Sequence, residues 1–186
     1  MASVLLSLDV GLLWQPNTPL FTIPESAHMN AKTLSPLYGP SITSHLTAIQ
    51  LISMHLFLHR PDQETDRIRT DPKFGPYISI LPKDFEGHPL SWLIKSSCGE
   101  SHDVDFLIKC SPPATQRALN AMAGRFWKDW NVVSQLLVTI SSNSLNDHTT
   151  ARVVQHANPL VAASKTPPYD SKKYIHMYLW AWLNGS

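Results

Sequence analysis

Pro112 and Pro113 open a stretch in which Leu119, Met122, Phe126, Trp130, Val133, Leu137 and Ile140 recur at steps of three and four residues. That period places every apolar side chain on one face of an α-helix. Proline is tolerated at a helix start, and the polar run "SSNSLNDHTT" closes the segment. A stripe of about six turns dominates a chain of 186 residues. It requires other apolar elements to cover it, because an amphipathic helix gains most of its stability from packing.

Two further segments can supply that cover. Residues 42–58 are apolar on most faces, through Leu46, Ile49, Leu51, Ile52, Met54, Leu56, Phe57 and Leu58. Ser41 or Thr43 is read as its cap, and Pro61 stops it after His59. A helix that is hydrophobic nearly all round belongs at the centre of a domain. The chain closes on "KKYIHMYLWAWLNGS", with Ser171 as a plausible cap. Chain ends are usually polar and frayed, so the Trp180 and Trp182 region is expected to need a partner surface.

The rest is irregular. "RPDQETDRIRTDPKF" and "HANPLVAASKTPPYDSKK" read as loops, and "FGPYISILPKDFEGHPLSWLI" as a segment packed by individual side chains, with one helical turn at 77–81. Fifteen prolines against seven glycines favour stiff connections over tight hairpins. Residues 20–23 ("LFTI"), between Pro19 and Pro24, and residues 3–13 read as short strands. The expected fold is therefore mainly α with a small N-terminal β element, a β segment over 1–40 and a helical subdomain over 41–186.

Composition narrows the function classes. A hydrophobic content of 43% is enough for a sizeable core in one domain. The net charge is +1, and lysines and arginines are scattered, so neither nucleic acid nor an acidic membrane is an expected partner. Cys98 and Cys110 lie twelve positions apart and are read as free thiols of a reducing compartment. The start "MASVLLSLDVGLLW" lacks a basic region and carries Asp9, which argues against a signal peptide. No stretch matches a membrane span, and the chain is expected to be intracellular, nuclear or cytoplasmic.

Searching for chemistry leaves little. His55 and His59 share a helix face at a spacing that can hold zinc, but Leu56 stands where a metalloprotease glutamate would be, and no third ligand is evident. We read them as one buried and one surface histidine, and expect no metal. There is no Gly-x-Ser-x-Gly elbow and no phosphate-binding glycine loop. Asp103 and Asp105 read as a solvated turn. Trp127, Trp130, Trp180 and Trp182 fit core packing better than a stacking platform. No catalytic residue can be assigned. Tyr77 and Trp92, in breaker-rich sequence, are the candidates for lining a groove.

Several segments, in order, resemble one family. "TPLFTIPESAHMNAKTL" looks like the early strand of SET-domain protein-lysine methyltransferases of the Rubisco-methyltransferase and fungal ribosomal-protein methyltransferase type. "LISMHLFLHRP" looks like the first helix of their helical insert, and "FGPYISILPKDFEGHPLSW" is similar to its "PY-x-x-x-LP … PL-x-W" stretch. "RFWKDWNVV" resembles the insert's long helix and "YLWAWLN" the helix that returns to the SET core. The resemblance implies S-adenosylmethionine-dependent methylation of a protein lysine, with S-adenosylmethionine as cofactor and a protein substrate as partner. The family's Gly-x-Gly element before the strand and its Asn-His motif are absent. The chain therefore reads as a truncated member with an incomplete SET core, inactive alone. Its last helix is expected to be exposed where that core would lie, and so to favour self-association. The alternatives are a non-catalytic helical protein-interaction module and an unrelated helical domain, which would bury Trp180 and Trp182 under the chain's own helices.

Overall fold

The computed structural model describes residues 23–60, 71–100, 104–143 and 172–186. Among these residues the fold is mostly helical, with no strand. A 3-10 turn at Glu25–Ala27 precedes α1 (Ala31–Tyr38), α2 (Pro40–Thr43), α3 (Ala48–Leu58), α4 (Gly75–Ile80), α5 (Pro89–Ser97), α6 (Val104–Cys110), α7 (Pro113–Asn143) and α8 (Lys172–Gly185).

The expected strand at 3–13 lies outside the described residues, as does that at 20–23 apart from an exposed Ile23. Within 23–40 the β expectation is corrected, because this part is helical. Asn30 and Thr33 form a capping box: Thr33 N–H donates to Asn30 Oδ1 and Asn30 N–H to Thr33 Oγ1, each at 3.0 Å. Gly39 then ends α1 with φ 75° and ψ 163°, a conformation essentially closed to residues with a Cβ. Its carbonyl accepts from the Thr43 backbone at 3.1 Å, so one glycine both stops α1 and starts α2.

The central helix also begins later than Ser41 or Thr43. Thr47 and Gln50 form a second capping box, with Thr47 N–H donating to Gln50 Oε1 at 2.9 Å. That reciprocal pair satisfies two orphan amides, which a cap at 41 or 43 does not match. Of the eleven residues of α3, eight are buried, including Gln50, Ser53 and His55. The all-round apolar pattern thus marks a central helix, as its sequence implies.

α8 packs chiefly on α3, and also on α7; α7 packs in turn on α5. A Cβ placed on Gly185 would lie 3.1 Å from Ile52 Cγ2 and 3.3 Å from Ser53 Oγ, so the helix backbones come close at that end. Met177, Tyr178, Leu179, Trp180, Ala181 and Trp182 are all buried. The expected exposed, unpartnered terminal helix is therefore corrected: the chain's own helices cover it. Tyr178 sits at the focus of a ring cluster, with centroids 5.1 Å from Trp130, 5.8 Å from Phe126 and 6.2 Å from Phe57. Each such burial contributes about 1.5–3 kcal/mol, plus about 0.5–1.5 kcal/mol for favourable ring geometry.

The stripe of α7 behaves as its period requires. Phe126, Trp130, Val133, Leu137 and Ile140 are buried, and Leu119 and Met122 pack partly buried against the same core. The segment read as irregular holds one helix more than expected, α5. Pro89 occupies its first turn and His88 caps it, Nδ1 accepting from Leu90 N–H at 3.2 Å. Cys98 and Cys110 are free thiols. Among the described residues, no helix is long and apolar enough to cross a membrane.

Candidate functional site

The last turn of α3 carries His55 and His59 on one face, with ring centroids 4.4 Å apart. Ten undescribed residues later the chain returns with Asp71, and one ligand atom from each of His55, His59 and Asp71 lies within 4.8 Å of the others. His55 is fully buried, Asp71 is buried and His59 half-buried. The third group that the sequence does not reveal is thus an aspartate twelve positions past His59. No helical or strand period links it to the histidines; only the fold brings it there.

Asp71 is held from one side only. Its Oδ1 accepts from Lys73 N–H at 2.7 Å and Phe74 N–H at 2.5 Å, an arrangement that caps the turn leading into α4. The other oxygen, Oδ2, points to His55 Nε2 at 3.8 Å. That nitrogen is buried and makes no hydrogen bond. On the opposite side of the ring, His55 Nδ1 and Tyr38 Oη are 2.7 Å apart, so α1 fixes the imidazole from behind. Edge-on contacts with Tyr38 and Phe74 complete the walls.

The electrostatics keep His55 neutral. Burial, helped by the neighbouring His59 and opposed by Asp71, pushes its pKa down to about 3. Burial also raises the Tyr38 hydroxyl far above its ordinary range, with Asp71 adding to the effect. The site therefore joins a neutral imidazole with an outward lone pair or proton, a second imidazole, a carboxylate oxygen and a protonated phenol. Two imidazole nitrogens and one carboxylate oxygen are the donor types of a divalent transition-metal site.

A second polar constellation has a structural character. Asp129, half-buried on α7, accepts from Gln50 Nε2 of α3 at 2.7 Å and from Trp182 Nε1 of α8 at 2.9 Å. One carboxylate thereby ties three helices. Trp180 Nε1 donates to the Pro82 carbonyl at 2.5 Å, and the Arg60 guanidinium lies 4.9 Å from the Trp180 ring centroid. The Tyr178 hydroxyl and Ser53 Oγ are both buried and face each other without a well-formed hydrogen bond. Desolvation raises Tyr178 well above the ordinary phenol range, and Asp129 pushes in the same direction. These tryptophans are core residues, as their spacing indicates, and not a stacking platform.

The candidates for a groove fall at different depths. Tyr77 is 46% exposed on α4, beside Ile80 at 77%. Trp92 is half-buried on α5. They make no ring contact with each other. Asp103 lies outside the described residues. Compared with protein-family models, with curated proteins and with solved structures, the chain matches none.

Proposed function

We propose that this chain is a protein-binding helical body of the kind inserted into SET-type lysine methyltransferases, and that it frames a protein substrate for S-adenosylmethionine-dependent methylation. One observation carries the reading. The segments "LISMHLFLHRP", "PYISILP", "PLSW", "RFWKDWNVV" and "YLWAWLN" fall on or at α3, α4, α5, α7 and α8, and all five helices contribute to one core, while α4, which buries Ile78, keeps Tyr77 and Ile80 outward. An exposed apolar pair on one short helix suits capture of an extended protein segment.

The described residues do not fit the methyl donor. Gly39 and Gly99, the described glycines with positive φ, sit beside helix ends, and neither belongs to a Gly-x-Gly turn. No transfer step is therefore derived, and the proposed part is the substrate-facing one. The exposed Tyr77 and Ile80 equally favour a helical interaction module that binds a protein without catalysis.

Donor binding separates the two. The chain is dialysed against radiolabelled S-adenosylmethionine, and label transfer to lysines of a protein mixture is followed. Saturable donor binding, with transfer that Ile80→Glu abolishes without changing the far-ultraviolet circular dichroism, supports the enzyme reading. Neither binding nor transfer removes it and leaves the interaction module.

A further inference from the structure

We infer that His55, His59 and Asp71 form a binding site for a divalent transition metal of the zinc type, with Tyr38 as the group that orients His55. This stands independently of the methyltransferase reading. The donors converge: one ligand atom from each residue lies within 4.8 Å of the other two. In a tetrahedral site with bonds of about 2.0–2.1 Å, donors sit about 3.4 Å apart. His55 Nε2 and Asp71 Oδ2, at 3.8 Å, already approach that separation. The remaining contraction falls on the half-buried His59 at the end of α3, the residue with most room to turn.

Three features mark the site as built. His55 Nε2 is a buried nitrogen without a hydrogen bond, facing the other donors. Buried polar atoms are nearly always partnered, so an orphan aimed at two further ligand types needs an explanation. Asp71 Oδ1 is consumed by two backbone amides, which leaves Oδ2 directed inward. Tyr38 Oη reaches His55 Nδ1 at 2.7 Å. With a metal on Nε2, the imidazole proton resides on Nδ1 and is donated to the phenol oxygen. Without metal, the phenol donates to Nδ1 and the imidazole proton faces Asp71. Such an outer contact fixes tautomer and ring orientation in metal sites. His55 is neutral at ordinary pH, as a ligand must be.

The donor set selects the ion. Imidazole and carboxylate suit zinc, iron, cobalt or nickel better than calcium or magnesium, which favour oxygen cages. Three protein ligands leave one position for water. Half-buried His59 provides the way in. The bound ion would join the end of α3 to the turn before α4.

The test uses the full chain, stripped of metal and carrying Cys98→Ser and Cys110→Ser so that thiols do not compete. Zinc chloride is titrated calorimetrically, and cobalt chloride is followed by visible absorption. The expected result is one ion per chain and cobalt ligand-field bands. His59→Ala and Asp71→Asn should each weaken binding at least tenfold, whereas His45→Ala, at an exposed position, should not. Asp71→Asn keeps the capping acceptor, and His59 is only half-buried, so both variants should retain the wild-type circular dichroism. Absence of saturable one-to-one binding overturns the inference. So does unchanged affinity in His59→Ala, which alone decides the matter should Asp71→Asn unfold.

Discussion

Replacing Asp129 by alanine should loosen α8 from the bundle. The carboxylate accepts from Gln50 at 2.7 Å and from Trp182 at 2.9 Å, and both donor residues are buried. A hydrogen bond to a charged group contributes about 1.5–3 kcal/mol, and a buried donor left unpaired costs about 1–3 kcal/mol. Asp129 is itself half-buried, so the lower end applies, giving about 3 kcal/mol for the pair. Trp182→Phe removes one of the bonds while keeping a ring against Phe126, whose centroid is 6.0 Å away. A double-mutant cycle between the two positions should show coupling of about 1–2 kcal/mol. Urea unfolding is followed by far-ultraviolet circular dichroism, because tryptophan emission changes with the mutation itself. With a slope of about 1–3 kcal/mol per molar, the alanine variant's midpoint should fall by at least about 1 M. A loss below about 0.5 kcal/mol, or additivity of the two changes, would refute the reasoning that Asp129 holds α8 on α3 and α7.

Other outcomes follow from single groups. His55 binds a proton far less readily when folded than its ordinary pKa of about 6.5 implies. Stability is therefore full above that ordinary value and is lost as pH falls from it toward about 3, where the folded group titrates. Between pH 7 and pH 5, in chelator, this amounts to about 2 kcal/mol, and His55→Asn should flatten that slope; an equally steep slope in the variant would assign it elsewhere. His176, which burial also lowers against the neighbouring Glu100, adds in the same direction. Gly39→Ala should cost about 1–3 kcal/mol through backbone strain alone, since nothing lies within 4 Å of the added methyl; a neutral result in thermal unfolding would contradict the positive φ. Tyr178→Phe removes a buried hydroxyl without a well-formed hydrogen bond and should be neutral or stabilising by about 1 kcal/mol, whereas a loss above 1 kcal/mol would show that the neighbouring Ser53 hydroxyl satisfies it.

Much of the helical body is legible in the residues, because its signals are local. The three- and four-residue steps of Leu119 to Ile140 specify one face of α7, and the dense apolar run of α3 specifies burial on all sides. Where local signals compete, the reading slips. Ser41, Thr43 and Thr47 are all plausible caps, but only Thr47 has a glutamine three residues on to return the bond. α1 is masked in the sequence because its Asn30 to Thr33 box stands beside "LFTI" and Pro24, which read as strand sequence.

The site itself divides along the same line. The spacing of His55 and His59 settles that they share a helix face, since 3.6 residues make a turn wherever the helix lies. Their third companion depends on the path of the chain between His59 and Asp71, which no periodicity encodes, and Tyr38 arrives from a separate helix. The terminal helix shows the same limit. Tyr178, Trp180 and Trp182 announce that something must cover them, because apolar area is costly to leave in water. Their sequence does not say what. Tertiary packing decides it, by setting α8 on α3 near Gly185 and giving the Trp182 indole a carboxylate fifty-three residues away. Periodicity fixes which faces must be buried; only the three-dimensional arrangement chooses the surface that buries them.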